Sequence, residues 1–212
     1  MLIRRFVNVT FRLLLKHNWD AQACTDINQI LKGKGGPLCP DDKTVPASLS
    51  YHLADVYLEE LDKALDTIDH QATTPLTTLT EPFVDLAART SNKVTYERMK
   101  TALITPLLDA LAARTVASDG DESATPRKRK RTSETYPNLI DSVCAPGSHS
   151  EDEAENSDAR AVAKNVLSAI FEAASKEDAK DANRRKMYAL WKTRKEEFEG
   201  SPQDNEANGI LS

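Results

Sequence analysis

An apolar period of three and four residues runs through most of this chain and constrains its fold more than any other feature. It is clearest in "PASLSYHLADVYLEELDKALDTI", where Leu49, Leu53, Val56, Tyr57, Leu61, Leu65 and Ile68 recur at helical spacing. Steps of three and four place side chains on one face of a helix, whereas a strand needs alternation at two. With only 7 glycines in 212 residues and no sustained alternation, the pattern predicts an all-α fold.

Five further segments of this kind occupy the first ~115 residues. Residues from about Leu2 to His17 are apolar over most of a helical circumference, so this helix is expected to be covered on more than one face. No Ser, Thr, Asp or Asn stands ahead of it as a cap, and the expectation is of further helices upstream. "WDAQACTDINQILKG" places Trp19, Ala23, Ile27, Ile30 and Leu31 at helical spacing, with Gly33 as its terminator. "GKGGPLCPDDKTVP" is loop by local signals. Ser48 or Ser50 is the expected cap of the next helix. Thr80 is the expected cap of "TEPFVDLAART", with Pro82 in its first turn. Asn92 is the expected cap of "NKVTYERMKTALITPLLDALAAR", which Pro106 should kink or break. Short loops between such segments predict stacked helical hairpins, solenoid-like but without a clean repeat period.

From Ala117 to Ala159 the composition shifts. Ten acids and five bases give this stretch a net −5, equal to the whole chain's charge. Large apolar residues are few, so the segment is expected to be disordered. Helical patterning resumes over 160–199 as two segments, "DARAVAKNVLSAIFEAASK" and "DANRRKMYALWKTRKEEFEG", expected to form a hairpin that docks on the main stack. Residues 200–212 read as a frayed tail.

Three charged features are candidate functional residues. Arg127, Lys128, Arg129, Lys130 and Arg131 form a basic run inside the acidic linker. Adjacent like charges repel, and an exposed run of this kind is the usual form of a nuclear import signal read by an import receptor. Arg184, Arg185, Lys186, Lys192, Arg194 and Lys195 crowd the last helix and are candidates for phosphate contact with RNA. Glu59, Glu60, Asp62 and Lys63 are candidates for the outward, partner-facing side of the central helix, with Tyr57 and Leu61 in the core.

The sequence also narrows the chemistry. Cys24, Cys39 and Cys144 are too few and too scattered for a disulfide framework or a zinc site, which points to a reducing compartment. Histidines 17, 52, 70 and 149 have no partner spacing, and Glu59 and Glu60 point ~100° apart on a helix. "GKGG" lacks the Lys-Ser/Thr of a phosphate-binding loop. A non-enzymatic protein without cofactors is therefore expected. No run reaches the ~20 apolar residues of a membrane span. A second reading remains for the N-terminus. Arg4, Arg5, Arg12 and Lys16 precede any acid, as in a mitochondrial transit peptide, which would make this a mitochondrial helical protein whose first helix is cleaved.

Several stretches resemble the ribosomal RNA-processing protein 1 family. Tyr57, Leu58, Glu59, Glu60, Leu61 and Lys63 match its Tyr-Leu-Asp/Glu-Glu-Leu-x-Lys core. Pro82, Phe83, Ala87, Ala88 and Thr90 match its Pro-Phe-x-x-x-Ala-Ala-x-Thr element. "LIRRFVNVTFRLLLKHNWD" and "AVAKNVLSAIFEAAS…NRRKMYALWK" are similar as well, so the resemblance spans 1–116 and about 160–198. It implies a non-enzymatic nucleolar factor in pre-rRNA processing and large (60S) subunit assembly. The implied partners are a Brix-domain protein and a β-propeller factor, with pre-rRNA contact. It also implies Trp-rich helices ahead of the region that this chain begins with.

Overall fold

The computed structural model describes residues 2–66, 73–118, 135–144 and 159–199. Among these the chain is all-α. The helices are α1 (Leu2–Lys16), α2 (Ala21–Lys32), α3 (Ala47–Leu65), α4 (Leu76–Arg89), α5 (Lys93–Met99), α6 (Thr105–Ser118), α7 (Pro137–Cys144), α8 (Ala159–Ser175) and α9 (Asp181–Glu199), with a π-helical turn (Lys100–Ile104) joining α5 to α6. Helix α1 packs on α3 and α2 on α4. The α8–α9 hairpin lies against α4 and α6, docked on the stack as its sequence predicts.

The centre of the core is aromatic. Tyr57 of α3 meets Phe11 of α1 edge-on at 4.9 Å and Phe83 of α4 at 4.5 Å. Its buried hydroxyl donates to the Leu79 carbonyl at 2.8 Å, which satisfies a group that would otherwise cost stability in a dry interior. Burial pushes this phenol well above its ordinary range. Edge-to-face rings with a satisfied hydroxyl fix the register of three helices at one point.

Helix starts depart from the local signals. Helix α2 begins after Trp19, not at it. Asn18 and Trp19 take left-handed backbone (φ 52° and 55°), and Asp20 caps the helix by accepting from the Ala23 N–H at 2.8 Å. Neither Ser48 nor Ser50 caps α3. Pro46 holds that position, and the Ser50 hydroxyl donates to the Ala47 carbonyl instead. The expected cap at Thr80 is also corrected, because α4 starts at Leu76, where burial of Leu76 and Leu79 rewards another turn. Pro82 therefore lies inside the helix, without the N–H that would have bonded the carbonyl of Thr78. Asn28 Nδ2, from α2, donates to that carbonyl at 2.7 Å.

Asn92 caps α5 as read, accepting from the Val94 N–H at 2.8 Å. Ahead of Pro106 the helix widens into the π turn, with the Thr105 N–H reaching Lys100. The irregularity expected at the proline is thus absorbed one turn earlier.

In the 33–46 loop, Gly36 is required by close approach. A Cβ there would stand 2.3 Å and 2.4 Å from the carbonyl oxygens of Ile30 and Leu31. That contact lets Leu38 reach full burial under the α2 end.

The expectation of disorder across 117–159 fails at α7. Leu139, Ile140 and Val143 are buried, and Pro137 occupies the first helical position, which its fixed φ suits. Averaging composition over the whole stretch hid an eight-residue amphipathic element.

Candidate interaction surfaces

Helix α9 carries the densest cationic sequence in the described fold, and its docking decides which of those cations reach solvent. Its first turn is locked to the end of α4. Buried Asn183 donates from Nδ2 to the carbonyls of Thr90 (2.7 Å), Ala87 (2.9 Å) and Ala88 (3.4 Å). The Lys180 N–H adds a bond to Ala88 at 2.9 Å. These donors satisfy carbonyls that the end of α4 leaves without helical partners.

Arg184 does the same for α8. Its Nε donates to the Ala174 carbonyl at 2.9 Å, and its Nη2 to Lys176 at 2.9 Å and Ala179 at 3.4 Å. A planar guanidinium with several donors fits three carbonyls of a tight turn, and a lysine could not replace it there. Lys186 reaches Glu97 at 3.1 Å and lies 4.4 Å over the Tyr96 ring. Arg194 bridges Glu197 at 2.7 Å and Asp109 of α6. Lys195 faces Glu199 and the Trp191 ring.

Of the six candidate phosphate contacts, Arg184, Lys186, Arg194 and Lys195 are engaged within the fold. Arg185 and Lys192 are exposed and form no ion pair among the described residues. Seven residues apart on a helix, they share one stripe about 10 Å long.

The α3 cluster divides in a similar way. Glu59 is half exposed and bonds Lys63 at 2.7 Å and Arg4 of α1 at 2.6 Å. These cations, Lys63 first, hold its carboxyl below the ordinary range. Glu60 is buried, which corrects its placement on the outward face. It accepts from Arg4 at 3.0 Å and Lys63 at 3.2 Å, while its carbonyl accepts from Asn8 Nδ2 at 3.2 Å. Burying a carboxylate without partners of this kind would be costly. Asp62 is also occupied, capping α7 through the Leu139 N–H at 2.9 Å and Asn138 at 3.3 Å. Of the four, Lys63 is exposed, Glu59 and Asp62 are half-buried, and Glu60 is buried.

A second ionic hub was not legible in the sequence. Arg89, at the end of α4, meets Asp41 of the loop (2.7 Å), Asp85 (3.2 Å) and Asp178 of the α8–α9 turn (2.8 Å). Asp85 is its i,i+4 neighbour on α4, but Asp41 and Asp178 come from distant regions of the chain that no local spacing brings together. The basic run at 127–131 lies outside the described residues. Among the described residues, no three His, Cys, Asp or Glu side chains come together as a metal site.

A family model described as nucleolar protein Nop52 matches residues 1–206. No curated protein matches the chain.

Proposed function

The chain belongs to the nucleolar protein Nop52 family of ribosome-biogenesis proteins, and from that premise we propose that it is a non-enzymatic scaffold in large-subunit precursor particles. The observation that carries the reading is the family match itself, which extends from α1 through α9. It takes in the motifs at 57–63 and 82–90, which the structure places in and around the Tyr57–Phe83 core.

Helix α1 is part of that core. Val7, Phe11, Leu14 and Leu15 are buried, so cleaving it as a leader would strip the cover from Tyr57. The mitochondrial alternative thus has a structural cost that the nucleolar reading does not incur.

In this account the helical stack presents surfaces to partner proteins. Following the family resemblance, these are a Brix-domain factor and a β-propeller factor. Contact with pre-rRNA falls to Arg185 and Lys192, since their neighbours are bound internally. Long-range attraction by two cations is modest and salt-dependent, so protein contacts supply most of the anchoring.

Nuclear entry is assigned to Arg127–Arg131. Replacing all five by Gln is expected to hold a fluorescent fusion in the cytoplasm, and continued nuclear accumulation would remove that assignment. The test of the particle reading is sequencing of the RNA recovered with the tagged chain at moderate salt. Enrichment of large-subunit over small-subunit precursors is expected. Equal recovery of both, or neither, would overturn it.

A further inference from the structure

Helices α2 and α8 both pack on α4 without packing closely on each other. The furrow between them is a cleft of about 410 Å³ lined by all three helices. One polar atom in its lining is left over, and the cause lies in α4. Pro82 supplies no N–H to the Thr78 carbonyl, and Asn28 Nδ2 donates to that carbonyl at 2.7 Å. This bond settles the orientation of the amide, so the remaining group is the acceptor Oδ1. Asn28 lines the cleft and is 6% exposed. Its Oδ1 is buried without a hydrogen-bond partner among the described residues. Burying an acceptor in that way is costly, and a ligand that brought an N–H to it would recover the cost.

The charges of the lining say which ligand that is. Glu81 accepts from Lys32 at 2.6 Å. Buried Asp85 takes Arg89 on Oδ2 at 3.2 Å and Lys176 on Oδ1 at 3.4 Å. Glu172 is exposed and forms no ion pair among the described residues. The two lysines of the cleft are thus matched by Glu81 and Asp85, and Glu172 leaves one acid in excess. That balance disfavours phosphates and carboxylates and favours a cation. Between the polar groups, Val84, Ala169 and Ala173 give the wall an apolar strip.

We propose that this cleft is a binding site for a guanidinium group, the head of an arginine side chain. A guanidinium carries only donors, so it can serve an amide oxygen and a carboxylate together, here Asn28 Oδ1 and Glu172. Its methylene stem would lie along Val84, Ala169 and Ala173. An ammonium holds its charge and its hydration at one point, and suits such a divided pair of acceptors less well. The proposal stands apart from the ribosomal reading, which rests on the family match and not on this cleft. The same chemistry has two sources, an arginine of another molecule or one of this chain's own Arg127, Arg129 and Arg131, and the test separates them.

The test uses the isotope-labelled full chain and three small probes, the Nα-acetyl methylamides of arginine, citrulline and lysine. Citrulline keeps the shape of arginine and loses the charge, whereas lysine keeps the charge and loses the fork. Affinity is read by calorimetry, and the place of binding from the side-chain amide signals of Asn28. The arginine probe is expected to shift those signals and to bind at least about tenfold more tightly than the citrulline probe, since charge-assisted hydrogen bonds are roughly twice as strong as neutral ones. The lysine probe should also bind more weakly than arginine. Glu172→Gln, at an exposed position, should leave melting unchanged and weaken arginine binding by about threefold or more. Replacing Arg127, Arg129 and Arg131 by Gln identifies the source. Tighter binding of the arginine probe by that variant marks the chain's own basic run as the occupant, and equal binding marks another molecule; either result supports the guanidinium site.

Binding of the citrulline or the lysine probe as tightly as the arginine probe would overturn the proposal. So would arginine binding that leaves the Asn28 signals unmoved or that Glu172→Gln leaves undiminished. Absence of binding by both the unaltered chain and the variant without Arg127, Arg129 and Arg131 would overturn it as well.

Discussion

Helices α1 and α9 are both rich in cations and both flank the stack, yet they use their charge in opposite ways. On α9 most cations are consumed by carbonyls and carboxylates of α5, α6, α8 and the helix itself. On α1, among the described residues, only Arg4 is paired, and Arg5, Arg12 and Lys16 form no ion pair beside an exposed apolar stripe. The number of charges in a segment therefore says little about what is available to a ligand. What decides it is whether neighbouring helices present unsatisfied oxygens within reach.

The contrast can be broken most forcefully within α1 itself. Phe11→Ala, on the buried side against Tyr57, is expected to cost about 3–5 kcal/mol. Phe6→Ala, five residues earlier on the open side, should change stability by no more than about 0.5 kcal/mol. Chemical denaturation of both variants checks this, and equal losses would mean that the open face is covered in solution.

Next in size is the α9 anchor. Asn183→Ala leaves the carbonyls of Ala87, Ala88 and Thr90 without their shared donor and should cost about 1–3 kcal/mol. Arg184→Met should fall in the same range, whereas Arg185→Met should be close to neutral. If Arg185→Met destabilised as much as Arg184→Met, the division of α9 into structural and free cations would be wrong.

A third effect is visible only in alkali. Burial, reinforced by Glu97, raises the Tyr96 hydroxyl from 10 to about 12. The unfolded chain releases this proton at the lower value, so the contribution is intact below pH 10 and is lost as the pH rises toward 12. Tyr57 acts in the same direction. Tyr96→Phe should flatten part of the alkaline loss and leave neutral stability nearly unchanged.

The smallest stability effect belongs to Arg185→Glu with Lys192→Glu. Melting should be unaltered, while recovery of RNA with the chain should weaken and lose part of its salt dependence.

Period alone made the helices legible, because each buries a stripe, and the stripe is local in sequence. Tyr57 and Leu61 fall in the core where their spacing put them. What escaped was set by partners distant in sequence. Glu60 looked like a surface acid on α3 because the Arg4 that accompanies its burial lies 56 residues away. Pro82 looked like a helix start because the donor replacing its missing bond, Asn28, lies on another helix. Helix α7 was lost for a different reason. Its Leu139, Ile140 and Val143 have helical spacing behind Pro137, but a short element vanishes when composition is averaged over a long acidic stretch. Of the candidate sites, the free pair on α9 could be told from its bound neighbours only after the α8–α9 turn and the α6 face were in place.

The most direct test of the account is gradient sedimentation of the tagged chain, with the RNA in each fraction identified. Co-migration with large-subunit precursor particles and their RNA is the predicted result. Migration as free protein at the top of the gradient, with no precursor RNA, would contradict it.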